Sequence, residues 1–215
     1  VNEPKPLPHT VNDIAFDLGI KDFLIDSDGC VITNPRYFKT SQSKLEKEQR
    51  KLSHCIKGSR NYRKQQLKIA KVHEKITNQR NDFQHKVSWK LVAENQCIYS
   101  EDLKVKNLLQ NHNLAKSIAD VAWSSFLAKV EYKAAWYGRT YIKISTFFPS
   151  TKLCHKCHYK NDELTLEDRK WTCPNCGEPL DRDKNSAINI LREGRRIHIS
   201  STPGTEGDRK FGQAC

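Results

Sequence analysis

The chain has 215 residues, enough for one substantial core and a small appendage, and carries 37 Lys and Arg against 25 Asp and Glu, a formal charge of +12. Four zinc-bound thiolates would bring this to about +10, still basic, which favours a polyanionic partner and nucleic acid first. No apolar run approaches the roughly 18 residues of a membrane span, and the polar, proline-bearing Val1 to Thr10 is not a signal peptide. Four of the eight cysteines have metal-site spacing, while Cys30, Cys55, Cys97 and Cys215 form no framework. This composition excludes a secreted disulfide scaffold and points to a reducing, cytoplasmic location. The absence of methionine suggests a processed chain or part of a longer one.

In chain order, residues 1–10 read as an extended lead-in through Pro4, Pro6 and Pro8. Ile14 to Gly19 reads as a strand with Ile14, Phe16 and Leu18 on one face. Asp17 lies on the other face, between the small residues Ala15 and Gly19. Phe23 to Asp26 and Cys30 to Thr33 follow as strands, joined by the turn residues Ser27-Asp28-Gly29. Ser41 to Lys90 holds 14 Lys and Arg against four acids and is interrupted at Gly58-Ser59. It predicts two helices, the second packing through Ile69, Val72, Ile76, Phe83 and Val87. The basic face of this arm is either a solvated surface or a phosphate-facing one.

Gln96 to Leu103 predicts a strand ending in Glu101-Asp102. Leu114 to Trp136 predicts one amphipathic helix ended by Gly138, and Thr140 to Ser145 a strand near the surface. A last helix is expected from about Asp183 to Glu193, stopped by Gly194, with a flexible tail over 194–215. The order suits a mixed-sheet α/β domain with a metal ribbon inserted before the last helix.

Cys154-x2-Cys157 and Cys173-x2-Cys176, fifteen residues apart, have the spacing of a closed structural zinc site. His155 and His158 are spare ligands nearby, taken as surface residues, and Trp171 as ribbon packing. Asp17, Glu101 and Asp183 stand on separate elements, as carboxylates that hold two Mg²⁺ for phosphoryl transfer must. Helical phase puts Asp183 on the face of Ala187, Ile190 and Leu191, whereas Asp181 could cap the helix. Residue chemistry alone favours Glu101 over Asp102 only weakly, and each acid taken alone could be a cap or a surface charge.

Several segments carry a specific resemblance. They are Phe16-Asp17-Leu18-Gly19-Ile20-Lys21-Asp22-Phe23, Asn78-Gln79-Arg80-Asn81-Asp82-Phe83, Glu101-Asp102-Leu103, Phe148-Pro149-Ser150-Thr151, Trp171-Thr172-Cys173-Pro174-Asn175-Cys176 and Asp181-Arg182-Asp183-Lys184-Asn185-Ser186-Ala187. Together with Tyr132-Lys133 and Trp136-Tyr137-Gly138, they make residues 11 to 193 resemble TnpB. TnpB is the insertion-sequence relative of type V CRISPR nucleases and Fanzor proteins. The resemblance implies an RNase H-like (RuvC) nuclease core over 11–148 that includes a basic helical-hairpin insertion at 37–95. It also implies a target-nucleic-acid-binding zinc ribbon at 149–180 and the last core helix at 181–193. Carried over by motif, Asp17, Glu101 and Asp183 are the catalytic, Mg-binding acids, and Cys154, Cys157, Cys173 and Cys176 are the Zn ligands.

The implied activity is Mg-dependent, RNA-guided hydrolysis of DNA for a transposable element, with DNA as substrate and a guide RNA as partner. The alternatives are a non-catalytic nucleic-acid-binding fragment and, more weakly, a zinc-ribbon protein adaptor. The sequence departs from the family at Ala15, Phe16, His158 and Ser186, none expected to touch a metal ligand. It also lacks the family's N-terminal half, which grips guide RNA and the adjacent DNA motif.

Overall fold

The computed structural model describes residues 4–105, 110, 115–165 and 167–201. Five strands form one mixed sheet: β1 (Asp13–Leu18), β2 (Asp22–Asp26), β3 (Val31–Thr33), β4 (Cys97–Glu101) and β5 (Thr140–Ile144). Their spatial order is β3-β2-β1-β4-β5. The first three strands form an antiparallel meander, and β4 and β5 add in parallel beside β1.

The alternation expected of β1 is present. Ile14 and Phe16 join the larger core with Phe23, Ile98 and Phe126, while Ala15 faces the other way, with Tyr99, Ile144 and Ile190. The larger core packs under α2 (Arg60–Glu94) and α4 (Trp123–Trp136). The smaller packs under α5 (Arg182–Ser201). The sheet is thus sandwiched between helices.

Between β3 and β4 the chain makes a helical hairpin, α1 (Tyr37–Ser53) and α2, as the Gly58-Ser59 break predicts. Ser59 caps α2 by accepting a hydrogen bond from the Tyr62 N–H at 3.1 Å. At 35 residues α2 is about 52 Å long, so it reaches well beyond the sheet. Leu45, Val72 and Ile76 form a separate small core that zips the two helices together. The extended lead-in, described from residue 4, is tied down where Arg139 donates to the Pro8 carbonyl at 3.0 Å and Leu7 N–H to the Tyr137 carbonyl at 3.1 Å.

Two helix expectations need correction. The single helix expected over 114–136 is two, α3 (Ala115–Val121) and α4; Leu114 itself lies outside the described residues. Ala122 between them is left-handed, at φ 53°. The buried Gln84 side chain supports the break. Its amide donates to both the Val121 and Ala122 carbonyls, at 3.0 and 3.1 Å; the Ser125 N–H turns from Val121 to Ala122, so Gln84 serves the Val121 carbonyl that the break leaves without its helical donor.

The second correction is at Gly194, which does not stop α5; the helix runs on to Ser201. The glycine is there for clearance. A Cβ at that position would lie 2.3 Å from Cδ1 of the buried Tyr99 ring. The expected tail therefore begins no earlier than residue 202, and 202–215 lie outside the described residues. No helix among the described residues is long and apolar enough to cross a membrane.

Candidate nuclease centre and metal ribbon

Parallel pairing decides where the first two acids sit. Phe16 is in register with Ser100, so Asp17 and Glu101 follow at the same ends of neighbouring strands. Alternation turns both to the face of Ala15 and Tyr99, which α5 covers. Asp183 lies in the first turn of α5. Asp17, Asp183, Lys21, Lys152, Arg169 and Arg182 all line a cleft of about 640 Å³.

The electrostatics reflect this crowding. Burial, and next the charges of Glu101 and Asp183, push the Asp17 carboxyl up to about 8, against the nearby Ser186 hydroxyl, which pulls it down. Burial also raises Glu101, again against a hydroxyl donor, Ser150. The single Ser186 hydroxyl proton goes to the Ser150 oxygen at 3.0 Å and Ser150 gives its own to Glu101, so a chain of two buried hydroxyls leads to the Glu101 carboxylate. The Ser186 departure thus lies one hydrogen bond away from the Ser150 hydroxyl that serves Glu101.

The neighbouring acids have other work. Asp181 caps α5, accepting from the Asp183 and Lys184 N–H groups at 3.2 and 3.1 Å. Asp102 is paired with Lys104 at the surface. Asp183 is itself engaged. Arg169 of the ribbon reaches one of its oxygens at 2.7 Å and Arg182 the other at 3.2 Å. No signal in the sequence marked Arg169, because its approach depends on how the ribbon folds back over the cleft.

Among the described residues the cysteines are the one group of three or more possible ligands whose atoms all lie within 4.8 Å of one another; the three acids stand farther apart than that. Cys154 and Cys176 are 3.7 Å apart and Cys157 and Cys173 3.5 Å. Zinc–sulfur bonds of about 2.3 Å in a tetrahedron require sulfur separations of about 3.8 Å, so the four could hold such an ion. A hydrogen bond from Asn175 is the largest cause pulling the Cys157 thiol down to about 6.

The two knuckles repeat one geometry. The His158 N–H donates to the Cys154 carbonyl and the Gly177 N–H to the Cys173 carbonyl, both at 2.9 Å. Both donors are left-handed, at φ 62° and 72°. This explains why glycine is usual where His158 stands. His158 is exposed, as expected. His155 is partly buried: its N–H donates to Asn185 Oδ1 at 2.9 Å. Trp171 packs on the cysteine cluster.

Beyond the knuckles, β6 (Lys170–Thr172) and β7 (Pro179–Asp181) form a hairpin that runs directly into α5. Two buried asparagines on α5 hold the first knuckle. Asn185 donates to the Leu153 carbonyl at 2.7 Å, and Asn189 to the Ser150 and Leu153 carbonyls at 2.8 and 2.7 Å.

A mixed α/β domain with acids gathered at one sheet end and a cysteine ribbon leading into its last helix defines the class. Residues 1–112 match the OrfB_IS605 family, described as a probable transposase, and residues 123–190 match the Cas12f1-like TNB domain. The chain belongs to the OrfB_IS605 family, which is the TnpB kinship read from its motifs. It is 46% identical over 189 residues to a Streptomyces pristinaespiralis protein named as a candidate RNA-guided DNA endonuclease, covering 88% of this chain and 47% of that one. It is 28% identical over 198 residues to TnpB-like protein L79 of Acanthamoeba polyphaga mimivirus, covering 85% and 37%. The chain spans about half the length of the curated relatives it matches. Its fold is similar to a chain in the Cas12f1–sgRNA–target DNA complex, with TM-score 0.57, 18% identity and coverage of 83% and 48%. A CRISPR-Cas12f ternary complex gives 0.61, 18%, 83% and 38%.

Proposed function

We propose that this chain carries the cutting centre of an RNA-guided, Mg-dependent DNA endonuclease of a transposable element, on an RNase H-like (RuvC) core. The observation that carries the reading is that Asp17 and Asp183 line one basic-walled cleft while Glu101, at the end of the neighbouring strand, lies close enough for its charge to act on Asp17. A carboxyl that burial first, and the neighbouring charges of Glu101 and Asp183 next, hold protonated up to about 8 is a fitting seat for divalent cations. Two Mg²⁺ held there would supply an activated water and charge to balance the attacking and leaving oxygens.

The chain's own groups do the rest. Ser150 orients Glu101 and is itself held by Ser186. Arg169 and Arg182, once Asp183 turns to a cation, present guanidinium forks to the oxygens of a bound phosphate. The product ends would be 5′-phosphate and 3′-hydroxyl. The ribbon of residues 149–180, with zinc on Cys154, Cys157, Cys173 and Cys176, is the target-binding element and positions the start of α5. The basic hairpin supports a phosphate-facing role, since Lys44, Lys68, Lys71 and Lys75 line one groove between α1 and α2. Guide RNA is the expected second partner.

In a guide-programmed cleavage assay within the full-length context, Asp17→Ala, Glu101→Gln and Asp183→Ala should each abolish Mg²⁺-dependent cutting. Cutting that survives all three changes overturns the proposal. The pairing of both Asp183 oxygens with arginines favours a second reading, a non-catalytic nucleic-acid-binding fragment. Mg²⁺-dependent cleavage of single-stranded DNA by this chain alone excludes it.

A further inference from the structure

The loop joining β5 to the ribbon carries the most exposed large hydrophobic side chain among the described residues, Phe147, at 94%. The loop is anchored at both ends beside the acids. Thr146 donates its hydroxyl to the Asp102 carbonyl, and Ser150 donates to the Glu101 carboxylate. Phe148 N–H closes a turn onto the Ser145 carbonyl at 3.1 Å, and Phe148 packs inward with Ile144 and Ile190. Burying Phe148 in a fixed turn leaves its neighbour Phe147 facing solvent. A large ring held in water by such a turn forgoes the gain of burial, unless a partner covers it.

We propose that Phe147 is a stacking platform for an unpaired base of the DNA strand entering the acid cleft, an inference that rests on the nuclease reading above. Reach supports it. Phe147 is three residues from Ser150, so their backbones lie within about 11 Å of each other. That span is at most about three nucleotides of stacked strand, which puts the ring within a few nucleotides of any phosphate bound beside Ser150 and Glu101. Basic groups on the cleft wall, Lys21, Lys152 and Arg169, hold phosphates but cannot distinguish paired from unpaired bases. An exposed aromatic face can, because only an unpaired base offers its own face to it. Phe147 is thus a positioning residue that favours single-stranded substrate.

The test uses the zinc-loaded chain without magnesium. Binding to a short thymidine oligonucleotide is compared with binding to an abasic strand of equal length, which keeps the phosphates and removes the bases. Wild type should prefer the base-bearing strand by about tenfold. Phe147→Ala should lose that preference while binding the abasic strand unchanged; Phe147→Trp should restore it and Phe147→Leu should not. Equal loss on both strands, no loss on either, or full rescue by leucine overturns the inference. Asp17→Asn separates the two proposals, because it should keep the base preference while cutting nothing. A wild type that shows the preference but, given Mg²⁺ in the guide-programmed full-length context, never cuts sinks the nuclease reading and leaves the role of Phe147 standing. A wild type that cuts while Phe147→Ala binds normally sinks only the latter.

Discussion

Replacing Asp17 with Asn keeps the size of the side chain and removes its charge. The unfolded chain ionises this carboxyl near its ordinary 3.8, whereas the folded, metal-free chain holds the proton up to about 8. Between those values every pH unit should lower wild-type stability relative to the variant by about 1.4 kcal/mol. The two proteins should be equally stable near pH 4, and the variant should lead by on the order of 5 kcal/mol near pH 8, with no further change above it. Adding magnesium should close much of the gap, because bound cation rewards the ionised wild type and not the amide. The assay is urea unfolding of zinc-loaded, desalted protein across this range, with and without Mg²⁺. Equal stabilities near pH 8, or a less stable variant, would refute the argument that burial and the neighbouring carboxylates disfavour the ionised Asp17.

Two further outcomes follow from the packing around that seat. Gly194→Ala gains about 1 kcal/mol of helix propensity, but its methyl meets the Tyr99 ring at 2.3 Å, and overpacking costs about 1–3 kcal/mol. The variant should therefore unfold at lower urea, and the same change in a Tyr99→Ala background should not be destabilising. Cys157→Ser should abolish zinc binding and speed amide exchange over residues 150–160 and 182–190, since Asn185 and Asn189 then lose a fixed Leu153 carbonyl. Unchanged exchange in the first turns of α5 would show that the ribbon does not hold the helix.

Much of this arrangement is legible in the residues. Strand alternation around Asp17, the Gly58-Ser59 break and the cysteine spacing each reflect local physics that the fold obeys. The misreadings come from contacts made across the molecule. The break at Ala122 is supported by Gln84 from another helix, with no glycine or proline to announce it. Gly194 resembles a helix stop and is a clearance for Tyr99, some ninety-five positions away. The hydroxyl chain from Ser186 through Ser150 to Glu101 was equally hidden, because serine in a helix is usually a neutral surface residue.

The position of α5 also sets the order in which the molecule comes to exist. The sheet is complete once Ile144 has been synthesised, but the face bearing Ala15, Tyr99 and Ile144 is covered only by the helix that ends at Ser201. Until that helix emerges from the ribosome, a nascent sheet shows an open apolar face and two of its three acids. The event that buries the face is the same one that delivers Asp183. On the reading proposed above, a half-made chain would lack the third carboxylate of the cutting centre until that helix docks.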